Sequence, residues 1–194
     1  MSAPLGDPEE QWPVHATETI WDGGAPFSVR SDTISAPDRP GETFDRVVLE
    51  HPGAVVILAL DDDERVFVLH QYRHPVGRRM VELPAGLLDE PGEDPLTAAV
   101  RELREEALLE AGTWEHLLTT YSTPGVSSER VEIYAATDLR DATDRGGFTP
   151  EHEEADMTAS WVPFRELLDA FLERRLTDGP TGHALMAWAL RRRP

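Results

Sequence analysis

The chain contains no cysteine and no lysine. The first absence excludes disulfides and thiolate metal sites. The second excludes Schiff-base chemistry on a lysine amine. Long apolar runs are missing as well: none approaches the roughly 20 residues needed to cross a bilayer, so no membrane partner is expected. The N-terminus has neither a basic start nor an apolar core, so no secretory signal is expected and cytoplasm is the default compartment. Positive charge is scarce. Eighteen basic residues, all arginine, face 37 acidic ones, for a formal charge of −19. Such a surface repels a nucleic-acid backbone, whose binding depends on cationic neutralisation of phosphates. Any anionic ligand would need local screening by a metal or by placed arginines.

What is present suits one good core: 194 residues, 40% hydrophobic and 28% charged. Residues 1–13 are rich in Pro and Glu and read as a disordered or loosely tethered tail. Residues 14–50 hold short β-type segments at 18–21, 27–34 and 44–50, a small N-terminal β subdomain with a turn-rich break at 37–41. The main domain spans 51–194. Its residues 54–60 form a continuous apolar run, as in a strand buried on both faces. The acidic residues 61–64 then read as the turn of a hairpin leading into a strand at 65–72, and as a solvated tip rather than a metal site. A short strand at 80–83 stops at Pro84. Further strands are expected at 114–121, 131–137 and 160–163, with a polar linker over 138–150. Helices are expected at 163–175 and 181–193. Their apolar residues, among them Phe164, Leu168, Phe171, Leu172, Leu185, Trp188 and Leu190, read as core. His70 and His74 share one face of a strand but lack a third ligand, and read as structural or substrate-lining. Gly125-Val126-Ser127 is not a nucleophile elbow, because Glu129 stands where the closing glycine belongs.

Residues 86–109 read GLLDEPGEDPLTAAVRELREEALL. Asp94 is placed to cap a helix, with Pro95 at its first position. Leu96, Val100, Leu103 and Ala107 recur at helical spacing as an apolar stripe. The other face carries Glu102, Glu105 and Glu106. Like charges at this spacing repel. Arg101 and Arg104 offset part of that, and a divalent cation would offset more, since carboxylate oxygens converge readily on a hard ion. A solvated face of Arg–Glu pairs is the competing reading.

The order Glu93, seven residues, Arg101-Glu102-Leu103-Arg104-Glu105-Glu106 resembles the Nudix box. Upstream, residues 82–89 (ELPAGLLD) resemble the entry to that box in the ADP-ribose pyrophosphatase branch. There are two departures. The interval from Gly86 to Glu93 is one residue longer than usual, and Leu108 replaces a glycine that usually ends the helix. Leucine resists the left-handed conformation, so the helix is expected to run on toward Gly112.

The resemblance implies an α/β/α sandwich with a mixed sheet, and an N-terminal sheet that supports a homodimer and helps bind the adenine end, with Trp21 and Phe27 as candidates; ordinary sheet packing is the favoured competing reading for both. It implies Mg²⁺, or alternatively Mn²⁺, held by Glu102, Glu105, Glu106 and the Ala85 carbonyl. It implies Arg101 as the residue holding the glutamates, Arg73 as phosphate ligand, with a salt bridge to Glu82 as its competing reading, Glu82 as a further substrate-binding residue, and Ser127 bordering the substrate. A loop carboxylate, Glu153 or Glu154, would act on the attacking water. The implied reaction is hydrolysis of a nucleoside diphosphate sugar, with ADP-ribose leading. Alternatives are a non-catalytic sensor of such a ligand, or a pyrophosphatase for another sugar nucleotide or a dinucleotide.

Overall fold

The alternation of residues along one strand divides the main core into two layers. In the computed structural model, which describes residues 5–24, 26–147 and 156–191, the apolar run becomes β4 (Ala54–Ala59). Val55, Ile57 and Ala59 join one buried cluster, while Val56 and Leu58 join another. Successive strand side chains point to opposite faces, so a run without polar residues needs cover on both sides. The following strand, β5 (Arg65–Arg73), splits in the same way: Val66 and Val68 against Phe67 and Leu69.

The chain forms two compact units. The first runs to His51 and includes Thr123–Ser128. It is an antiparallel meander of β1 (Val14–Trp21), β2 (Ser28–Ser35) and β3 (Thr43–Glu50). Buried Asp32 accepts from Thr17 Oγ1 at 2.8 Å and from Arg30 Nε at 3.0 Å. Trp21 stacks on Phe27 at 5.7 Å, and Phe27 on His51 at 6.3 Å. Thr123–Ser128 lies along β3, with Leu49 N donating to Val126 O at 2.8 Å.

The second unit holds the remaining elements. These are β6 (Arg78–Glu82), β7 (Ala85–Leu87), α1 (Pro95–Ala107), β8 (Leu109–Tyr121), β9 (Arg130–Asp141), β10 (Thr158–Pro163), α2 (Phe164–Leu172) and α3 (Gly179–Arg191). One sheet has the order β7-β4-β9-β8, with β4 and β9 parallel and its other pairs antiparallel. The other is the antiparallel β10-β5-β6. Helix α1 covers one face of the strands, with Ala98, Ala99, Leu103 and Ala107 in one cluster. Helices α2 and α3 cover the opposite face through Leu167, Leu168, Ala184, Leu185 and Trp188. The layering is the expected α/β/α sandwich with a mixed sheet. Among the described residues no helix is long and apolar enough to cross a membrane.

Four expectations are corrected. First, β4 and β5 are not a hairpin. Their turn forms around Asp61, which accepts from the Asp63 and Arg65 N–H groups. Only a Leu60–Val66 bridge joins the two strands before they enter different sheets. A strand buried on both faces finds its neighbours across the sheet instead of across its own turn. Second, the buried stripe of α1 is rotated. Leu96 and Val100 are 38% and 44% exposed. The small Ala98 and Ala99 sit innermost and let the helix approach the sheet. Third, β9 extends to Asp141, into the expected linker, because β8 pairs with it out to Leu109. Fourth, Leu172 and Leu190 are exposed rather than core, each lying at the outer end of its helix.

The helix end is corrected as well. Helix α1 stops at Ala107, and Leu108 takes the left-handed conformation at φ 55°, ψ 37°. The physical reason lies outside the helix. Leu109 is buried and pairs with Asp141, and Ala142 N donates to Leu108 O at 2.8 Å. Sheet pairing outweighs the ~1–2 kcal/mol that a non-glycine residue loses in this conformation. Leu108→Gly is therefore expected to hold or raise stability by about 0.5 kcal/mol, strain relief being partly offset by chain entropy. Urea unfolding checks this. A loss above about 1 kcal/mol would show that the leucine side chain carries the turn.

Candidate active site

The charged residues come from the end of β5, the end of β6, the loop before α1 and the C-terminal half of α1. Asp94 caps α1 as expected, accepting from Leu96 N and Thr97 N at 3.1 and 3.2 Å. Two turns later the helix turns a carboxylate toward the sheet. Glu102 is only 8% exposed. It lies directly over Gly86 in β7, where any Cβ would overlap its carboxyl group. Glycine at position 86 is thus a packing requirement of an acidic side chain.

Arg101 gathers this acidity. Its Nε and Nη2 donate to the two Glu93 oxygens at 3.1 and 3.0 Å. Its Nη1 donates to Glu102 Oε1 at 2.6 Å and Glu105 Oε2 at 3.2 Å. A lysine could not hold three carboxylates in a fixed plane. Glu106 accepts from the Ala85 N–H at 2.9 Å, which ties the helix to β7. Arg73 binds Glu82 through both carboxylate oxygens, with Nη2 to Oε2 at 2.7 Å. Buried Glu82 thereby orients Arg73, whose pKa is raised chiefly by Glu82, with Glu106 and Asp178 adding to the effect.

A family model, the NUDIX domain, matches residues 50–182. The chain belongs to the NUDIX family. An ADP-ribose pyrophosphatase of Mycobacterium tuberculosis is 46% identical over 158 residues, covering 81% of this chain and 73% of the relative. An ADP-ribose pyrophosphatase of Bacillus subtilis is 30% identical over 170 residues, 88% of each. A methanol dehydrogenase activator of Bacillus methanolicus is 33% identical over 165 residues, 85% of each. A crystal structure of an ADP compounds hydrolase shares the fold, at TM-score 0.76 and 21% identity over 96% of each chain. This chain is a Nudix pyrophosphohydrolase.

The Nudix helix and β7 thus bring together Ala85, Arg101, Glu102, Glu105 and Glu106, with Arg73 and Glu82 on the neighbouring strands. Trp21 and Ser127 belong to the first unit, where Ser127 is buried against β3. Glu153 and Glu154 lie outside the described residues. His70 bonds Ser160 Oγ at 2.9 Å. His74 falls in a 3-10 turn rather than on the strand, so the two histidines do not share a strand face. Sequence reasoning missed the roles of Glu93 and Thr181. Glu93 was legible as the glutamate eight residues before the arginine that it holds. Thr181 is fully buried, and its Oγ1 accepts from Leu83 N–H at 3.3 Å, fixing the approach to Ala85. No local sequence signal marks it.

Among the described residues, no three His, Cys, Asp or Glu side chains already converge as a metal cage. Glu102 and Glu105 turn toward Arg101, and Glu106 toward the Ala85 N–H. The donor chemistry nonetheless fits a hard divalent cation: carboxylates one helical turn apart beside the Ala85 backbone, with neither thiol nor imidazole among them. Burial pushes the Glu102 carboxyl up from 4.5 to about 7, with Arg101 pulling against this and Glu105 and Asp89 adding to it. A buried carboxyl that resists ionising alone is one that a cation would stabilise.

Two outcomes follow. Gly86→Ala should fold, because the overlapping atoms end a flexible side chain. It should displace Glu102 and lower divalent-ion affinity by about 10-fold, as read by titration calorimetry. The second concerns pH. The folded pKa of Glu102 lies above its unfolded value, so its stabilising contribution is complete below pH 4.5 and is lost as pH rises through about 7. Without metal, this one group should make the protein less stable at pH 8 than at pH 4.5 by about 3 kcal/mol. Glu102→Gln should flatten that slope in denaturant melts.

Proposed function

We propose that this Nudix pyrophosphohydrolase cleaves the diphosphate bond of a nucleoside diphosphate sugar, with ADP-ribose as substrate and AMP and ribose 5-phosphate as products. The observation that carries the reading is the gathered acidic turn: Arg101 holding Glu93, Glu102 and Glu105 above Gly86, with Glu106 tied to Ala85. The 46% likeness to an ADP-ribose pyrophosphatase supports the choice of substrate.

Glu102, Glu105, Glu106 and the Ala85 carbonyl hold Mg²⁺ in this reading, with Mn²⁺ as the alternative. When bound, the ion withdraws charge from the diphosphate as a Lewis acid. The chain's own residues do the rest. Arg101 keeps the carboxylates from splaying apart. Arg73, aimed by Glu82, binds a phosphate oxygen and screens it from the acidic surface. Glu153 or Glu154 orients or deprotonates the water that attacks phosphorus. Trp21 helps bind the adenine end in this reading, and Ser127 borders the substrate. A homodimer belongs to the same reading, because every residue of β1 is exposed, including Val14, Ile20 and Trp21, and a second copy would cover that edge. The proposed compartment is the cytoplasm.

Phosphorus NMR of protein, Mg²⁺ and ADP-ribose tests the reaction. AMP and ribose 5-phosphate should appear together. Glu106→Gln should keep the fold and cut turnover by about 10²-fold or more. An unchanged rate would remove the role of Glu106. Saturable binding with ADP-ribose left intact would make the chain a sensor rather than an enzyme.

A further inference from the structure

The C-terminal end of α1 carries an arginine clamp that the metal reading does not use. The last four carbonyls of a helix have no partner within it. Leu108 N–H donates to Arg104 O. The next two carbonyls belong to Glu105 and Glu106, and Arg145 Nη1 donates to both, closely to Glu105 O and at 3.3 Å to Glu106 O. The contact is reciprocal. Arg104 reaches out from the helix to Asp144, with Nε to Asp144 O at 3.0 Å and Nη2 to Oδ1 at 2.6 Å. Gly146 N–H donates to the same Oδ1 at 2.8 Å and fixes the turn that presents Arg145. Ala142 N–H closes the other side on Leu108 O. Residues 142–146 therefore grip the backbone of the two glutamates just before the left-handed Leu108.

We propose that Arg145 is a positioning residue for the metal site, acting through the Glu105 and Glu106 carbonyls and standing in for the helix-ending glycine that this chain lacks. A glycine would end the helix there without strain. Leucine ends it only under external restraint, and without that restraint the last turn frays or extends, carrying Glu105 and Glu106 with it. A cation at a helix C-terminus also suits the helix dipole. The inference rests on the metal reading, and the experiment keeps the two apart.

The sign of the effect separates positioning from charge. Removing a cation beside a metal site should tighten metal binding if only Coulomb forces act. Positioning demands the reverse. Mn²⁺ titration followed by the EPR signal of free ion, without substrate, reads this directly. Arg145→Ala is expected to bind Mn²⁺ about 10-fold more weakly, the scale for lost outer partners of a metal site. Adding Leu108→Gly to that variant should restore most of the affinity, which a merely structural role for Arg145 would not predict. Affinity equal to or tighter than wild type in Arg145→Ala overturns the inference, and so does failure of Leu108→Gly to restore it. If circular dichroism shows Arg145→Ala unfolded, Asp144→Asn decides. It loosens the reciprocal half of the clamp and should weaken Mn²⁺ by a smaller factor, and an unchanged affinity overturns the inference. A wild-type protein that binds no Mn²⁺ overturns the metal reading itself, and the clamp's role with it.

Discussion

A carboxylate packed against a glycine strand governs this structure. Most amphipathic helices bury apolar side chains and show charge to water. Here α1 turns Glu102 inward over Gly86. That requires small residues one turn earlier on the helix, so that helix and sheet meet closely, and Ala98 and Ala99 supply them. It also requires a donor to meet the buried charge, because an isolated ionised carboxylate in a core is costly. Arg101 supplies part of that. The remainder of the cost persists as a raised proton affinity at Glu102, which a divalent ion is suited to relieve.

Much of the fold was legible because its signals were local. The unbroken apolar run of β4 needed cover on both faces and received it. Asp94-Pro95 is a helix start whatever surrounds it. The order of Glu and Arg residues on α1 identified the family before any geometry was known. What was not legible depended on distant partners. Leu96 and Val100 resemble a core stripe by spacing, yet alanines won the interior because closeness to β7 mattered more than side-chain area. The acidic turn after β4 looks like a hairpin, yet β4 and β5 pair with strands far along the chain. Thr181 acts only because α3 happens to bring its hydroxyl to the Leu83 N–H.

The arginine-only basicity also finds its physical sense here. In the second unit arginines repeatedly serve several acceptors at once. Arg101 spans three carboxylates, Arg73 takes both oxygens of Glu82, and Arg79 reaches His70 O together with Asp156. A planar fork with five donors fixes geometry as well as charge. In a chain with so large a negative excess, single-point cations would neutralise without aligning. Carboxylates gathered on one helix face need a partner that both neutralises and aligns them, and Arg101 does both at once.

The end of α1 follows from the same need. The acidic turn at Glu105 and Glu106 lies beside a helix terminus, where helices fray most readily. A glycine at that terminus would settle the backbone cheaply, and its absence moves the task to tertiary contacts: the β8–β9 pairing that pulls Leu109 out of the helix, and the arginines on either side that hold the last turn closed. The left-handed leucine is then a strained residue beside a functional site, stable because its surroundings over-determine it. Local propensity read alone extends the helix, whereas the sheet ends it, and the last turn before that point, with Glu105 and Glu106, is held from outside the helix by the sheet and by Arg145 together.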